Sequence, residues 1–174
     1  MKNTTILKLL AEVRIFEGFG PGDLDDFLTQ TVGSTYEAGS MIFTEGQSGR
    51  QMHIILSGKV EVFRKSAGRS VSLVKLGPGE SFGEMSLVLD ANSGRTASIR
   101  AIESTATLRI DYESLVRIPR VSAQLYRNIS RTLATRLKIS TDLVVFQVQH
   151  GGDVSPSATL TKPRPKAVTK IVKD

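Results

Sequence analysis

The sequence predicts a mainly β domain of the sandwich, jelly-roll or barrel class, preceded by short helices and followed by one long helix. Three observations carry this. From about residue 34, brief β-prone runs follow one another with glycine turns between them: "STYEAG", "MIFTEG", "MHIILSG", "KVEVFRKSAG", "RSVSLVKLGPG", "RTASIRAIES" and "ATLRIDY". Within Lys59–Arg64 the residues alternate, so that Val60 and Val62 share one face and the charges take the other. Residues 121–146 then return to a helical period, with Leu125, Ile129, Leu133, Leu137 and Val144 at spacings of threes and fours.

Taken in order, "TTILKLLAEVRIF" and "GPGDLDDFLTQTV" place apolar residues at helical spacing, and Pro21 with the acidic residues after it suits a helix N-terminus. Two short helices are expected within residues 1–33, and the β domain over 34–118. Gly46, Gly49, Gly58, Gly77 and Gly79 are read as turn positions with positive φ. The long helix is expected over 119–146. Its apolar stripe has two readings: packing on the β domain, or pairing with a second copy across a coiled-coil-like seam. Residues 147–174 form a basic tail, with Lys162, Arg164, Lys166, Lys170 and Lys173 against Asp153 and Asp174, or 5 − 2 = +3 of the net charge of +6. Its prolines and lack of apolar period read as an extended or disordered segment.

Composition narrows the function classes. No window approaches the ~18 consecutive apolar residues of a membrane helix, and the N-terminus has no secretory pattern. The absence of cysteine fits a cytoplasmic protein and excludes thiolate metal sites. The two histidines, His53 and His150, are far apart in the chain, which leaves too few ligands for a metal-dependent enzyme on a jelly roll. A non-enzymatic role is expected, with no prosthetic group.

The segment "SFGEMSLVLDANSGRTASIRA" (81–101) carries the chemistry. Arg95 offers a permanently charged, planar set of donors suited to two phosphate oxygens. Gly83, opening a short helix of roughly residues 83–88, would let the backbone come close to an anion. A carboxylate repels phosphate, so the fitting task for Glu84 is to accept a hydrogen bond from a ribose hydroxyl. Thr96 adds a hydroxyl able to reach a phosphate oxygen or a purine edge. Acid and base would then grip different ends of a cyclic phosphodiester nucleotide.

Residues 10–146 resemble the cyclic-nucleotide-binding domain family, the β-roll shared by bacterial catabolite activators, cyclic-nucleotide-dependent kinases and cyclic-nucleotide-gated channels. The resemblance rests on "IFTEGQSG" (42–49), "MHIILSGKVEVF" (52–63), "LGPGESFGEMSL" (76–87) and "GRTASIRA" (94–101). It implies a β-roll of the double-stranded β-helix or jelly-roll type. It also implies a ligand site at Gly83, Glu84, Met85, Ser86, Arg95 and Thr96, with Gly83 and Glu84 at the ribose and Arg95 on the phosphate. Gly94 departs from the proline common before that arginine, which is expected to loosen the turn. "TRLKISTDLV" (135–144) resembles the helix of the catabolite activators whose hydroxyls meet the adenine, implying roles for Ser140 and Thr141, with Arg136 in a supporting network.

The resulting expectation is a regulatory sensor that binds cAMP in preference to cGMP, with cyclic dinucleotides as further candidates. It would form a homodimer through the long helix and signal to a protein effector. The alternative is a truncated or degenerate DNA-binding transcriptional regulator of the catabolite activator family. Specific DNA binding is not expected, since the residues after 146 show no helix-turn-helix.

Overall fold

The computed structural model describes residues 2–66 and 68–149. The basic residues of the tail, from Lys162 to Lys173, and His150 lie outside them. The chain divides into two units, residues 1–134 and 135–174.

The first unit opens with α1 (Lys2–Glu12), a 3-10 turn (Arg14–Phe16) and α2 (Pro21–Thr29). Pro21 stands at the first turn of α2, where a missing N–H costs nothing, and the Asp23 carboxylate accepts from the Gly20 backbone N–H at 2.9 Å. Eight strands follow: β1 (Val32–Tyr36), β2 (Met41–Phe43), β3 (Gln51–Ser57), β4 (Val60–Ser66), β5 (Arg69–Leu76), β6 (Ser81–Phe82), β7 (Ser98–Ala101) and β8 (Thr105–Asp111). They form two antiparallel four-stranded sheets, in the orders β1-β8-β3-β6 and β2-β7-β4-β5. The predicted class is correct: mostly antiparallel β structure with flanking helices. A four-residue α3 (Met85–Val88) interrupts the strands. A short α4 (Tyr112–Val116), capped by the Asp111 carboxylate accepting from Ser114 N–H, leads into α5 (Pro119–Gln149). The sequence pattern signals no α4, and β1 starts at Val32, two residues before the expected 34.

Strand β3 explains how one sheet serves two cores. Its side chains alternate, as the pleat requires, so Met52 and Ile54 face one way and His53 and Ile55 the other. Met52 and Ile54 join Leu108 and Ile110 of β8, Leu10, Phe16 and Phe27 of the N-terminal segment, and Leu125 and Ile129 of α5 in the larger core. Phe16 and Phe27 meet edge to face at 4.7 Å. Ile55 joins Phe43, Val60, Leu76, Phe82 and Ile99 inside the roll. Each fully buried side chain of this size contributes about 1.5–3 kcal/mol. Buried Asn128 fastens α5 to the N-terminal segment, donating from Nδ2 to the carbonyls of Ile15 (2.9 Å) and Glu17 (2.8 Å).

The apolar stripe of α5 is therefore not one seam. Leu125 and Ile129 are fully buried in the first unit's own core and Leu133 packs against it. Leu137 and Val144, in the second unit, are exposed, as are Ile139, Leu143, Val145 and Phe146.

Two glycine readings need correction. Gly46, Gly49, Gly58 and Gly79 have positive φ, but Gly77 does not: its N–H donates to the Glu80 carboxylate, and the left-handed residue of that turn is Gly79. Gly83 is also left-handed (φ +80°), which keeps it out of the helix and starts α3 at Met85 rather than at residue 83.

Candidate ligand-binding site

The roll brings six of the predicted site residues together. Arg95 is the centre. Its side chain is 5% exposed, and Nη1 donates to the Gln51 carbonyl at 2.7 Å and to Ser86 Oγ at 2.9 Å. The guanidinium carbon lies 4.0 Å from the centroid of the Phe43 ring. Arg95 Nε is buried and has no hydrogen-bond partner among the described residues. Burial pulls this guanidinium below its ordinary pKa, because water no longer stabilises the charge. A cation held dry with an unused donor can take an anionic acceptor.

The backbone around Arg95 is fixed as firmly as its side chain. Its N–H donates to the Gln47 carbonyl at 2.9 Å, and its own carbonyl accepts from Gly46 N–H at 2.8 Å. Gly94, before it, has φ +64° and ψ 179°, and a Cβ there would stand 2.9 Å from the Gly46 carbonyl oxygen. The turn expected to be loose is thus pinned, in a conformation that proline, with φ near −65°, does not adopt. Gly83 is equally constrained. A Cβ on it would stand 2.7 Å from the Gln51 carbonyl oxygen and 3.1 Å from Arg95 Nη1.

Ser86 supports the arginine, its hydroxyl donating to Gly83 O at 2.8 Å while accepting from Arg95. Glu84, at the N-cap of α3, is 2% exposed. Thr96 Oγ1 donates to Met85 Sδ at 3.5 Å, closing the exposed rim. Gly83, Glu84, Met85, Ser86, Arg95 and Thr96 so form one cassette. Arg136, Ser140 and Thr141 belong to the second unit, where all three are exposed. Thr141 Oγ1 donates to the Leu137 carbonyl one turn earlier, at 2.9 Å.

The sequence reading missed the aromatic floor. His53 is buried, stacks on Phe82 (centroids 4.9 Å, planes 4° apart) and pairs through Nδ1 with Thr107 Oγ1 at 3.1 Å. Its pKa is pushed down to about 3, first by burial and then by the neighbouring charges of Arg95 and Arg109, so the imidazole is neutral. Phe43 completes the floor, 5.8 Å from Phe82. Alternation along β3 could have placed His53 inside the roll, since it shares a face with Ile55; nothing in the sequence paired Phe43 with Arg95.

The profile of the cyclic nucleotide-binding domain family matches residues 34–120, which span both sheets and the whole cassette. The chain belongs to the cyclic nucleotide-binding domain family. Among its relatives, this cyclic nucleotide-binding domain is 37% identical to the cyclic AMP receptor protein of Thermus thermophilus over 141 residues, covering 76% of this chain and 62% of that protein. It is 31% identical to the CRP-like cAMP-activated global transcriptional regulator of Mycobacterium tuberculosis over 146 residues, covering 81% of this chain and 64% of that protein. The crystal structure of the Thermus thermophilus catabolite activator protein superposes with a TM-score of 0.68 at 34% identity, covering 77% of this chain and 64% of that one. The chain thus spans less than two thirds of each of these relatives. No helix among the described residues of this cyclic nucleotide-binding domain is long and apolar enough to cross a membrane.

Proposed function

We propose that this chain is a cyclic nucleotide sensor that binds cAMP in preference to cGMP and passes the event on through its C-terminal helix. The observation that carries the reading is Arg95, a buried cation with one edge fastened to Gln51 and Ser86 and Nε left unused. A singly charged phosphodiester would neutralise it and supply the missing acceptor. Glu84 and Gly83 would hold the ribose, with Thr96, Met85 and Ser86 around the phosphate and base. The preference for cAMP is supported by the names of the two relatives above, both of which include cAMP, and by the Ser140-Thr141 pair, whose hydroxyls would meet the purine, with Arg136 in support.

The output is a homodimer made through the exposed apolar residues of α5, offered to a protein effector, in the cytoplasm and without reading specific DNA. A second reading, a truncated or degenerate DNA-binding transcriptional regulator of the catabolite activator family, is favoured by the Mycobacterium tuberculosis relative, which is named as a transcriptional regulator. Calorimetric titration with cAMP, cGMP and cyclic dinucleotides tests the first point: saturable binding, tightest for cAMP, is expected, and no binding of any of them would end the reading. A sequence-specific footprint at about 150 mM salt would turn the choice to the second reading.

A further inference from the structure

We infer that Phe43 is a positioning residue for Arg95, and that its ring face sets which edge of the guanidinium a cyclic phosphodiester meets. The inference rests on the cyclic nucleotide reading of the site and adds a residue outside its cassette. A guanidinium is a flat group with two faces and three hydrogen-bonding edges. Nη1 is taken by the Gln51 carbonyl and Ser86 Oγ, which holds one edge. Both bonds leave from one corner of the group, so the far edge, Nε and Nη2, can still swing out of plane as they bend. The Phe43 ring, 4.0 Å from the guanidinium carbon, removes that freedom by covering a face. A cation over a ring face is attracted by the π quadrupole, the more so where water is excluded.

Phe43 is itself held. It is 7% exposed, inside the roll, and contacts Phe82 at 5.8 Å, while Phe82 is stacked on the His53 ring that pairs with Thr107. The rings form a pile rooted in β8, and the neutral state of His53 adds no competing cation beneath Arg95. On another side, a Cβ on Gly49 would stand 3.2 Å from Arg95 Nη2, so a larger side chain there would press on the guanidinium. With one edge fastened and one face covered, Nε and the adjoining Nη2 are what Arg95 presents to a phosphate. A leucine at 43 would keep the apolar volume and lose the flat face.

The test has a ligand-free arm and a binding arm. In the wild-type protein without nucleotide, the Arg95 Nε–H resonance, assigned by its loss in Arg95→Lys, should be displaced upfield by the ring current, and Phe43→Leu should return it toward its ordinary position. In calorimetry, Phe43→Leu should weaken cAMP binding by about tenfold. It should also shrink the discrimination between the Sp and Rp phosphorothioates of cAMP, which differ only in where sulfur replaces a phosphate oxygen. Phe43→Tyr should restore both, and in an Arg95→Ala background Phe43→Leu should cost nothing further. A wild type that binds none of cAMP, cGMP and the cyclic dinucleotides would end the cyclic nucleotide reading and this inference with it. A binding-competent wild type whose Phe43→Leu variant keeps affinity and discrimination would end this inference alone. So would an equal loss in the Arg95→Ala background. If Phe43→Leu does not fold, the wild-type spectrum decides, and an Nε–H without upfield displacement overturns the role of the ring.

Discussion

Arg95 and Glu84 are two buried groups of opposite charge whose proposed tasks differ, and substitution separates them. Arg95→Ala removes a charge-assisted partner from a bound anion, a loss of about 2–5 kcal/mol, or roughly 30- to several-thousand-fold in affinity for cAMP by calorimetry. Affinity within about threefold of wild type would contradict the assignment. Glu84→Ala removes the acceptor for a neutral hydroxyl and should cost less, about 1–3 kcal/mol. Its distinguishing result is a loss of preference for cAMP over 2′-deoxy cAMP, which Arg95→Ala should leave in place. Both residues could be chosen from the sequence because an arginine beside glycine and threonine, a fixed distance after Gly-Glu, is a pattern. His53 and Phe43 could not be chosen in the same way. A single ring on a strand has the same signature whether it fills a core or supports a cation.

At the scale of the element, the turn at Gly94 and the helix α5 both behave differently from what periodicity and family pattern suggest. Proline before the arginine is the commoner arrangement in the resemblance, yet φ is +64° here and the position abuts Gly46. Gly94→Pro should therefore lower stability by more than about 1 kcal/mol and weaken cAMP binding as well. Urea midpoints and calorimetry check it, and a stabilised variant would show that the turn can be rebuilt. For α5, the helical period was legible from Leu125 to Val144, but period alone does not say what covers each residue. Leu125 and Ile129 are covered by the chain's own core, so a charge there would test folding, not association. Leu137, 68% exposed, is the informative position. Leu137→Glu should shift sedimentation from dimer toward monomer with an unchanged circular dichroism spectrum. A wild type that sediments as a monomer with and without saturating cAMP would dismiss the dimer.

At the scale of the whole molecule, stability should carry the mark of His53. The neutral form is the one the fold accepts, with the pKa pushed down to about 3 from an unfolded value near 6.5. Above about pH 6.5 both states hold a neutral ring and the contribution is constant. As pH falls from there toward about 3, the unfolded chain takes up a proton that the folded chain refuses. Stability then declines by up to about 1.4 kcal/mol per pH unit. Urea midpoints at pH 7, 6 and 5 should fall more steeply for wild type than for His53→Gln; parallel curves would refute this. The comparison goes no lower than pH 5 because Glu61, bonded by Arg100, and Asp111, capping α4, have lowered pKa values and lose their own contributions only at greater acidity. The architecture itself was legible because strands broken by left-handed glycines announce their turns. The partition into two cores was not, since β3 is buried on both faces and reads as one apolar run with a histidine in it.

The pairing of β1 with β8, Val32 against Arg109, joins strands from the two ends of the roll, whereas β4 and β5 meet across a hairpin. Local pairs close cheaply and distant ones late, because the chain between them must first give up its freedom. The β4–β5 hairpin closes a short loop, whereas both neighbours of β8, which carries Thr107 against His53, come from distant parts of the chain. Without β1, β8 would have only β3 beside it and would show its other row of backbone groups to whatever strand is near, including that of another copy. β1 is thus the guard of that edge as well as a strand of the sheet.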